Sequence, residues 1–130
     1  MKNTSFLTVV LILALSGMLS TLFISCTPKK NIGLQLYSIR DSIRKDVPAA
    51  IEKVAQMGYT FVEPAGYGDG KFYGMEPDEF KALCENHGML VLSSHTSRQL
   101  PDSSNYEETM AWWDKCIDAH VAVEIGRAHV

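Results

Sequence analysis

With 130 residues, 46% of them hydrophobic and 21% charged, the chain has single-domain size and the make-up of an ordinary globular protein. Its formal net charge of −3 supplies no broad basic surface, which argues against nucleic acid as a partner. The three cysteines, Cys26, Cys84 and Cys116, do not form a metal-ligand spacing, and a Cys84–Cys116 disulfide stays open in an oxidising compartment.

Lys2 is followed by an uncharged stretch from Phe6 to Ile24 that closes on Ser25 and Cys26. A positive start, an apolar run and a small residue make residues 1–25 an export signal. The cysteine that follows directly resembles a bacterial lipoprotein signal, with Phe23 and Ile24 as a loose lipobox. Cys26 would then be lipidated as the mature N-terminus and hold the protein to a membrane. Ordinary signal cleavage and an uncleaved anchor are the alternatives, because the run is near bilayer-spanning length. The expected location is exported, either periplasmic or membrane-anchored in a bacterium. Residues 27–31, with Pro28 and two lysines, form a short tether before the folded domain over 32–123.

Three apolar runs come next, over 32–37, 59–63 and 89–92, each closing on polar or hydroxylated side chains and each succeeded by a helical pattern. The last of them reads as a buried parallel strand ending in Ser93-Ser94-His95-Thr96. After the first strand, apolar Ile43, Val47, Ala50, Ile51 and Val54 recur at helical spacing. Asp46 and Pro48 mark a restart of that helix, and Gly58 is its left-handed stop. The loop over 65–75 carries four glycines and three aromatics, without a phosphate-binding fingerprint. It is either a connector whose rings pack inward or a binding loop. Glu76 and Pro77 open a second helix that ends at His87 and Gly88, with Cys84 as core filler. A third helix over 106–119, capped by Asn105, places Met110, Trp113, Ile117 and Trp112 on its apolar face.

The unit repeats about every thirty residues, the length of a βα unit with its crossover. Chemistry in parallel α/β folds gathers at the carboxyl ends of strands, so Gln35, Tyr37, Glu63 and His95 are the candidate site residues. Strand alternation puts Gln35 and Tyr37, Phe61 and Glu63, and Ser93 and His95 on one face, with Tyr37, Glu63 and His95 converging at the mouth.

The ordered strand ends, Ile32-Gly33-Leu34-Gln35-Leu36-Tyr37-Ser38-Ile39-Arg40-Asp41, then Val62-Glu63 with Ala65-Gly66-Tyr67, then Ser93-Ser94-His95-Thr96, resemble the sugar phosphate isomerase/epimerase family. That resemblance implies an α/β fold, a xylose isomerase-like (β/α)8 TIM barrel of which about three βα units are present. It further implies a sugar substrate and a divalent metal that assists proton or hydride transfer beside the sugar carbonyl. The family's main metal ligands come from later strands, so the span in hand is expected to be an incomplete and inactive fragment, with Gln35, Tyr37, Glu63 and His95 in substrate-binding positions. The alternatives are an exported carbohydrate-binding lipoprotein that stacks sugars on Tyr67, Phe72 and Tyr73, and a keto-sugar lyase or hydratase on the same barrel. Residues 124–130 look like translated sequencing adapter, a non-native tail. The competing reading lets Gly126 cap the third helix before a fourth strand.

Overall fold

The computed structural model describes residues 30–125. The export signal over 1–25, lipidation at Cys26, most of the tether, and residues 126–130 of the suspected tail lie outside the described residues. Strands β1 (Gly33–Gln35), β2 (Phe61–Glu63) and β5 (Leu90–Val91) form one parallel sheet in the order β1-β2-β5. Strands β3 (Tyr67–Gly68) and β4 (Lys71–Phe72) make a separate antiparallel hairpin. Four helices complete the described span: α1 (Arg40–Ile43), α2 (Val47–Gln56), α3 (Pro77–Asn86) and α4 (Tyr106–Ala122). This is part of a TIM-barrel architecture, and the described residues do not close a barrel.

The first unit ends its strand sooner than the apolar run suggests. After Gln35 the chain turns into a 3-10 segment, Leu36–Ile39, that buries Leu36 completely and leaves Tyr37 on the surface. Helix α1 lasts a single turn, and Asp46 restarts the helix as expected. Its backbone is extended, its carboxylate accepts the Ala49 N–H at 2.9 Å, and Pro48 occupies the first turn, where no N–H is needed. Ala50, Ile51 and Val54 face inward from α2. Gly58 (φ +90) and Gly88 (φ +71) both take the left-handed position after their helices.

Helix α3 opens with Glu79 accepting the Glu76 backbone N–H at 3.3 Å, half of a reciprocal cap, and buries Phe80 and Cys84 fully. Those two residues join Val62, Phe72 and Met89 in the core beneath the sheet. Cys84 and Cys116 are free, buried thiols with no bond between them, and burial pushes Cys84 up to about 12.

Two expectations are corrected. The run over 89–92 is buried on one face only: Val91 is 7% exposed, while Leu90 and Leu92 are 56% and 52% exposed. Three strands with helices on one side leave the other sheet face uncovered among the described residues. Helix α4 is rotated from the predicted face. It buries Thr109, Cys116 and Ala119 and leaves Met110 and Ile117 exposed. The aromatic ring cluster of the hairpin, docked beside Trp112 and His120, decides the rotation, and local apolar spacing carries no trace of it. Asn105 also departs from its expected capping role: its side-chain oxygen accepts the Asp102 N–H at 2.8 Å and bonds no helix N–H.

The end of α4 is closed at Glu124, not Gly126. The Glu124 N–H reaches Val121 O and the Ile125 N–H reaches His120 O, the paired bonds of a Schellman stop, with Glu124 at φ +62.

Candidate functional site

Strand pairing brings Gln35 level with Glu63 on the uncovered face of the sheet. There the Gln35 side-chain amide donates to one carboxylate oxygen of Glu63. The Ser93 hydroxyl donates to the other at 2.5 Å. Both oxygens of Glu63 are thereby engaged by neutral donors from the two flanking strand ends. The Ser93 bond is the larger cause, and together with Gln35 and the nearby His95 it holds the Glu63 carboxyl below its ordinary value against the opposing pull of burial. An ionised, oriented carboxylate of this kind suits hydrogen bonding to sugar hydroxyls or contact with a cation. It is correspondingly a weak base towards carbon.

The strand alternation predicted for this face fails at β5. Its register sets Phe61 against Leu90 and Val62 against Val91, so the residues in phase with Glu63 are leucines. The backbone then corrects the phase. Leu90 N–H bonds Thr60 O and Leu92 N–H bonds Val62 O, a step of two residues, but the next bond joins His95 N–H to Pro64 O at 2.8 Å, a step of three. The one extra residue works as a bulge that re-aims the side chains after it. His95 takes the pairing position that residue 94 would hold in a regular strand, close to Glu63. Pro64, which has no N–H to give, serves here through its carbonyl, also accepting the Ser94 hydroxyl at 3.4 Å.

Tyr37 is not tied to this cluster by a hydrogen bond. It is 56% exposed in the 3-10 segment, with the Arg40 guanidinium 4.8 Å over its ring. Gln35, Glu63 and His95 thus gather at the strand ends, and Tyr37 stands beside them. Ser93 is the residue that sequence reasoning undervalued, since its parity argument was wrong while its position after the apolar run was informative.

His120 was not anticipated at all. Its Nδ1 donates to Cys116 O at 2.6 Å, one helical turn back, which leaves Nε2 to meet the Thr96 hydroxyl at 3.4 Å. Thr96 Oγ1 lies 3.1 Å from Ser94 Oγ. The two residues that flank His95 are therefore linked through His120 to α4. Nothing local in the sequence signals a contact across 24 residues.

The loop over 65–75 is a packed connector. Phe72 is fully buried and stacks on Phe80 at 5.4 Å, and the Tyr67 ring meets Trp112 at 5.3 Å. Tyr73 sits at φ +53, and its hydroxyl accepts the Ala65 N–H at 2.8 Å. Its ring lies so close to Gly66 that a Cβ there would overlap it. Phe72 faces inward, so it offers no stacking surface for a sugar, whereas Tyr67 and Tyr73 are partly exposed and Tyr73 lines a cleft beside the strand ends.

Glu63 and His95 supply two donors at most. No group of three His, Cys, Asp or Glu side chains among the described residues is placed to hold a metal ion. The residues present do not by themselves fit the divalent metal that the family resemblance implies.

No protein-family model matches the chain, and no curated protein matches it. Solved structures do. The chain is similar to a crystal structure of a sugar phosphate isomerase/epimerase from Parabacteroides distasonis ATCC 8503, with 27% identity and a TM-score of 0.62, covering 78% of this chain and 38% of that one. A second structure under the same description and from the same organism gives 32% identity and a TM-score of 0.62, covering 74% of this chain and 39% of that one. The chain spans about two fifths of the length of these relatives. In sequence and in fold it is similar to part of these sugar phosphate isomerase/epimerase proteins.

Proposed function

We propose that this chain carries the first three βα units of a sugar isomerase or epimerase, exported by residues 1–25 and anchored through a lipid on Cys26. The observation that carries the reading is the Gln35–Glu63–Ser93 cluster, a carboxylate gripped from both sides at the carboxyl ends of adjacent parallel strands. In the reaction a proton leaves the carbon beside the carbonyl and returns either to the neighbouring carbon or to the opposite face of the same one. Glu63 fixes the hydroxyls next to that carbon, and His95 presents an imidazole alongside. A divalent metal, which the described residues do not hold by themselves, would supply polarisation of the carbonyl oxygen in the intact enzyme. Export favours a free or oxidised saccharide over a phosphorylated one as substrate.

The test reads the gene past codon 130 in an independent assembly and expresses any further βα units together with this chain. Incubated with aldoses and ketoses in D2O, that protein is expected to place deuterium on the carbon beside the carbonyl. The 130-residue chain alone is expected to place none. Glu63→Gln should slow exchange by about a hundredfold or more, the usual scale for losing a positioning group. A longer protein that binds sugar with no exchange overturns catalysis and leaves carbohydrate binding.

A further inference from the structure

His95 is exposed, and the backbone around it, over 92–102, belongs to no helix or strand. A side chain on such a segment is aimed by tertiary ties and not by a regular ladder. Its own N–H is fixed on Pro64 O at 2.8 Å, the carbonyl next to Glu63. The other ties come from its half-buried neighbours Ser94 and Thr96, whose hydroxyl oxygens lie 3.1 Å apart. They lead to His120 on α4, whose imidazole sits against the Tyr67 and Phe72 rings at 5.1 and 5.0 Å between centroids. Among the described residues His120 belongs to no ion pair. Donors and acceptors give this chain one direction. The Cys116 carbonyl can only accept, so its 2.6 Å contact puts the imidazole proton on Nδ1. In neutral His120, Nε2 is then an acceptor, and the Thr96 hydroxyl donates to it at 3.4 Å. Thr96 Oγ1, its own proton engaged, accepts from Ser94, which shares its single proton with Pro64 O at 3.4 Å.

We infer that His120 is a positioning residue: by holding Thr96 and Ser94 in this directed chain, it sets where the His95 imidazole stands relative to Glu63. Its consequence for catalysis rests on the sugar-directed reading above, while the geometry it asserts is measurable without substrate. Arg98 strengthens the same attachment two residues further on, with its guanidinium 5.0 Å over the Trp112 ring and 2.8 Å from the Glu108 carboxylate. Helix α4 is thus the template on which the segment carrying His95 is laid, and His120 is the point of contact nearest to that histidine in the chain. The Nδ1 bond to Cys116 O matters as much as the Nε2 contact, because it selects the tautomer that can accept from Thr96.

The test uses the full 130-residue chain with 15N-labelled histidine, in mildly alkaline solution where imidazole is neutral. His120, assigned by its loss in His120→Phe, is expected to show a protonated Nδ1 and a bare Nε2. Thr96→Val keeps the branched shape and removes the hydroxyl. It should change the His120 Nε2 signal, shift the His95 ring signals and speed amide exchange at the His95 N–H about fivefold or more, the scale of one neutral hydrogen bond. Thr96→Ser, which restores the hydroxyl without the methyl, should return all three. His120→Phe keeps a ring beside Tyr67 and Phe72 and should match Thr96→Val at His95. Ser97→Ala, at an exposed neighbour, should leave His95 and His120 as they were. A His120 proton on Nε2, or His95 signals that survive Thr96→Val and move in Thr96→Ser, overturns the inference, since shape and not the hydroxyl would then hold the segment. In the longer protein, Thr96→Val should slow deuterium placement beside the carbonyl about tenfold, and Thr96→Ser should recover it. The expected NMR pattern in a longer protein that places no deuterium would defeat the isomerase reading and spare the positioning role. Deuterium placement untouched by Thr96→Val would do the reverse.

Discussion

Glu63 accepts hydrogen bonds at both carboxylate oxygens, and the protonated form would forfeit at least one of them. Folding therefore lowers its pKa from the ordinary 4.5, chiefly through Ser93. The stability that this linkage contributes is present above the unfolded value and is lost as the pH falls through the lowered folded value. The carboxyl carbon of Glu63, followed by 13C NMR against pH, is expected to titrate below 4.5 in the intact chain. Ser93→Ala should move the midpoint up towards that value, lower stability at neutral pH and flatten the loss of thermal stability on the acid side. A midpoint at or above 4.5 in the intact chain would show that the two donors do not hold the carboxylate as described. At this scale the sequence was partly legible. A polar residue closing an apolar run is visible in the bare string, and it pointed to Gln35, Glu63 and His95. The bulge after Leu92 and the bond from Thr96 to His120 are products of tertiary pairing, and a single string holds no sign of either.

The helices divide by what sets them. Where local chemistry decides, the sequence was sufficient: Asp46 with Pro48 starts α2, Glu76 with Pro77 starts α3, and Gly58 and Gly88 end them. Where packing decides, it was not. Helix α4 has apolar residues on more than one face, Met110, Ile117 and Val121 on one and Cys116, Ala119 and Val123 on another, so spacing alone cannot choose between them. The hairpin rings choose, by docking against Trp112 and His120. The start of α2 gives a clean measure of the local term. Asp46→Ala removes the acceptor of the Ala49 N–H and should cost ~1 kcal/mol, read as a Tm lower by roughly 4–8 °C for a domain of this size. Asp46→Asn keeps an acceptor and should recover most of that loss. Equal destabilisation by both would mean that the carboxylate charge at the helix start, and not the bond, is what matters.

On the scale of the whole span, the helices cover one side of the parallel sheet and leave the other open. Leu90 and Leu92 stand on that open face more than half exposed, and Ile117 and Val121 of α4 are 58% and 65% exposed. Each half-exposed leucine withholds on the order of 1 kcal/mol of the stabilisation that full burial would give. The outer backbone of β5 also has no strand beside it among the described residues, an unpaired edge that favours joining another chain. No helix among the described residues is long and apolar enough to cross a membrane. A domain this small has little stability in reserve, and exposed sheet surface lowers what it has. Expressed without residues 1–26, residues 27–130 are expected to unfold over a broad temperature range and to self-associate at tens of micromolar, seen as species heavier than the monomer in sedimentation velocity. Leu90→Ser with Leu92→Lys should shift the distribution towards monomer, because the pair replaces apolar surface at the edge with a polar and a charged group. Met57→Lys, an equally drastic change at a 71%-exposed residue just after α2, should leave association as it was. If the unmodified span instead sediments as a monomer with a sharp cooperative melt, the open face is stable in water as it stands. The expectation that further βα units belong on it would then lose its physical ground.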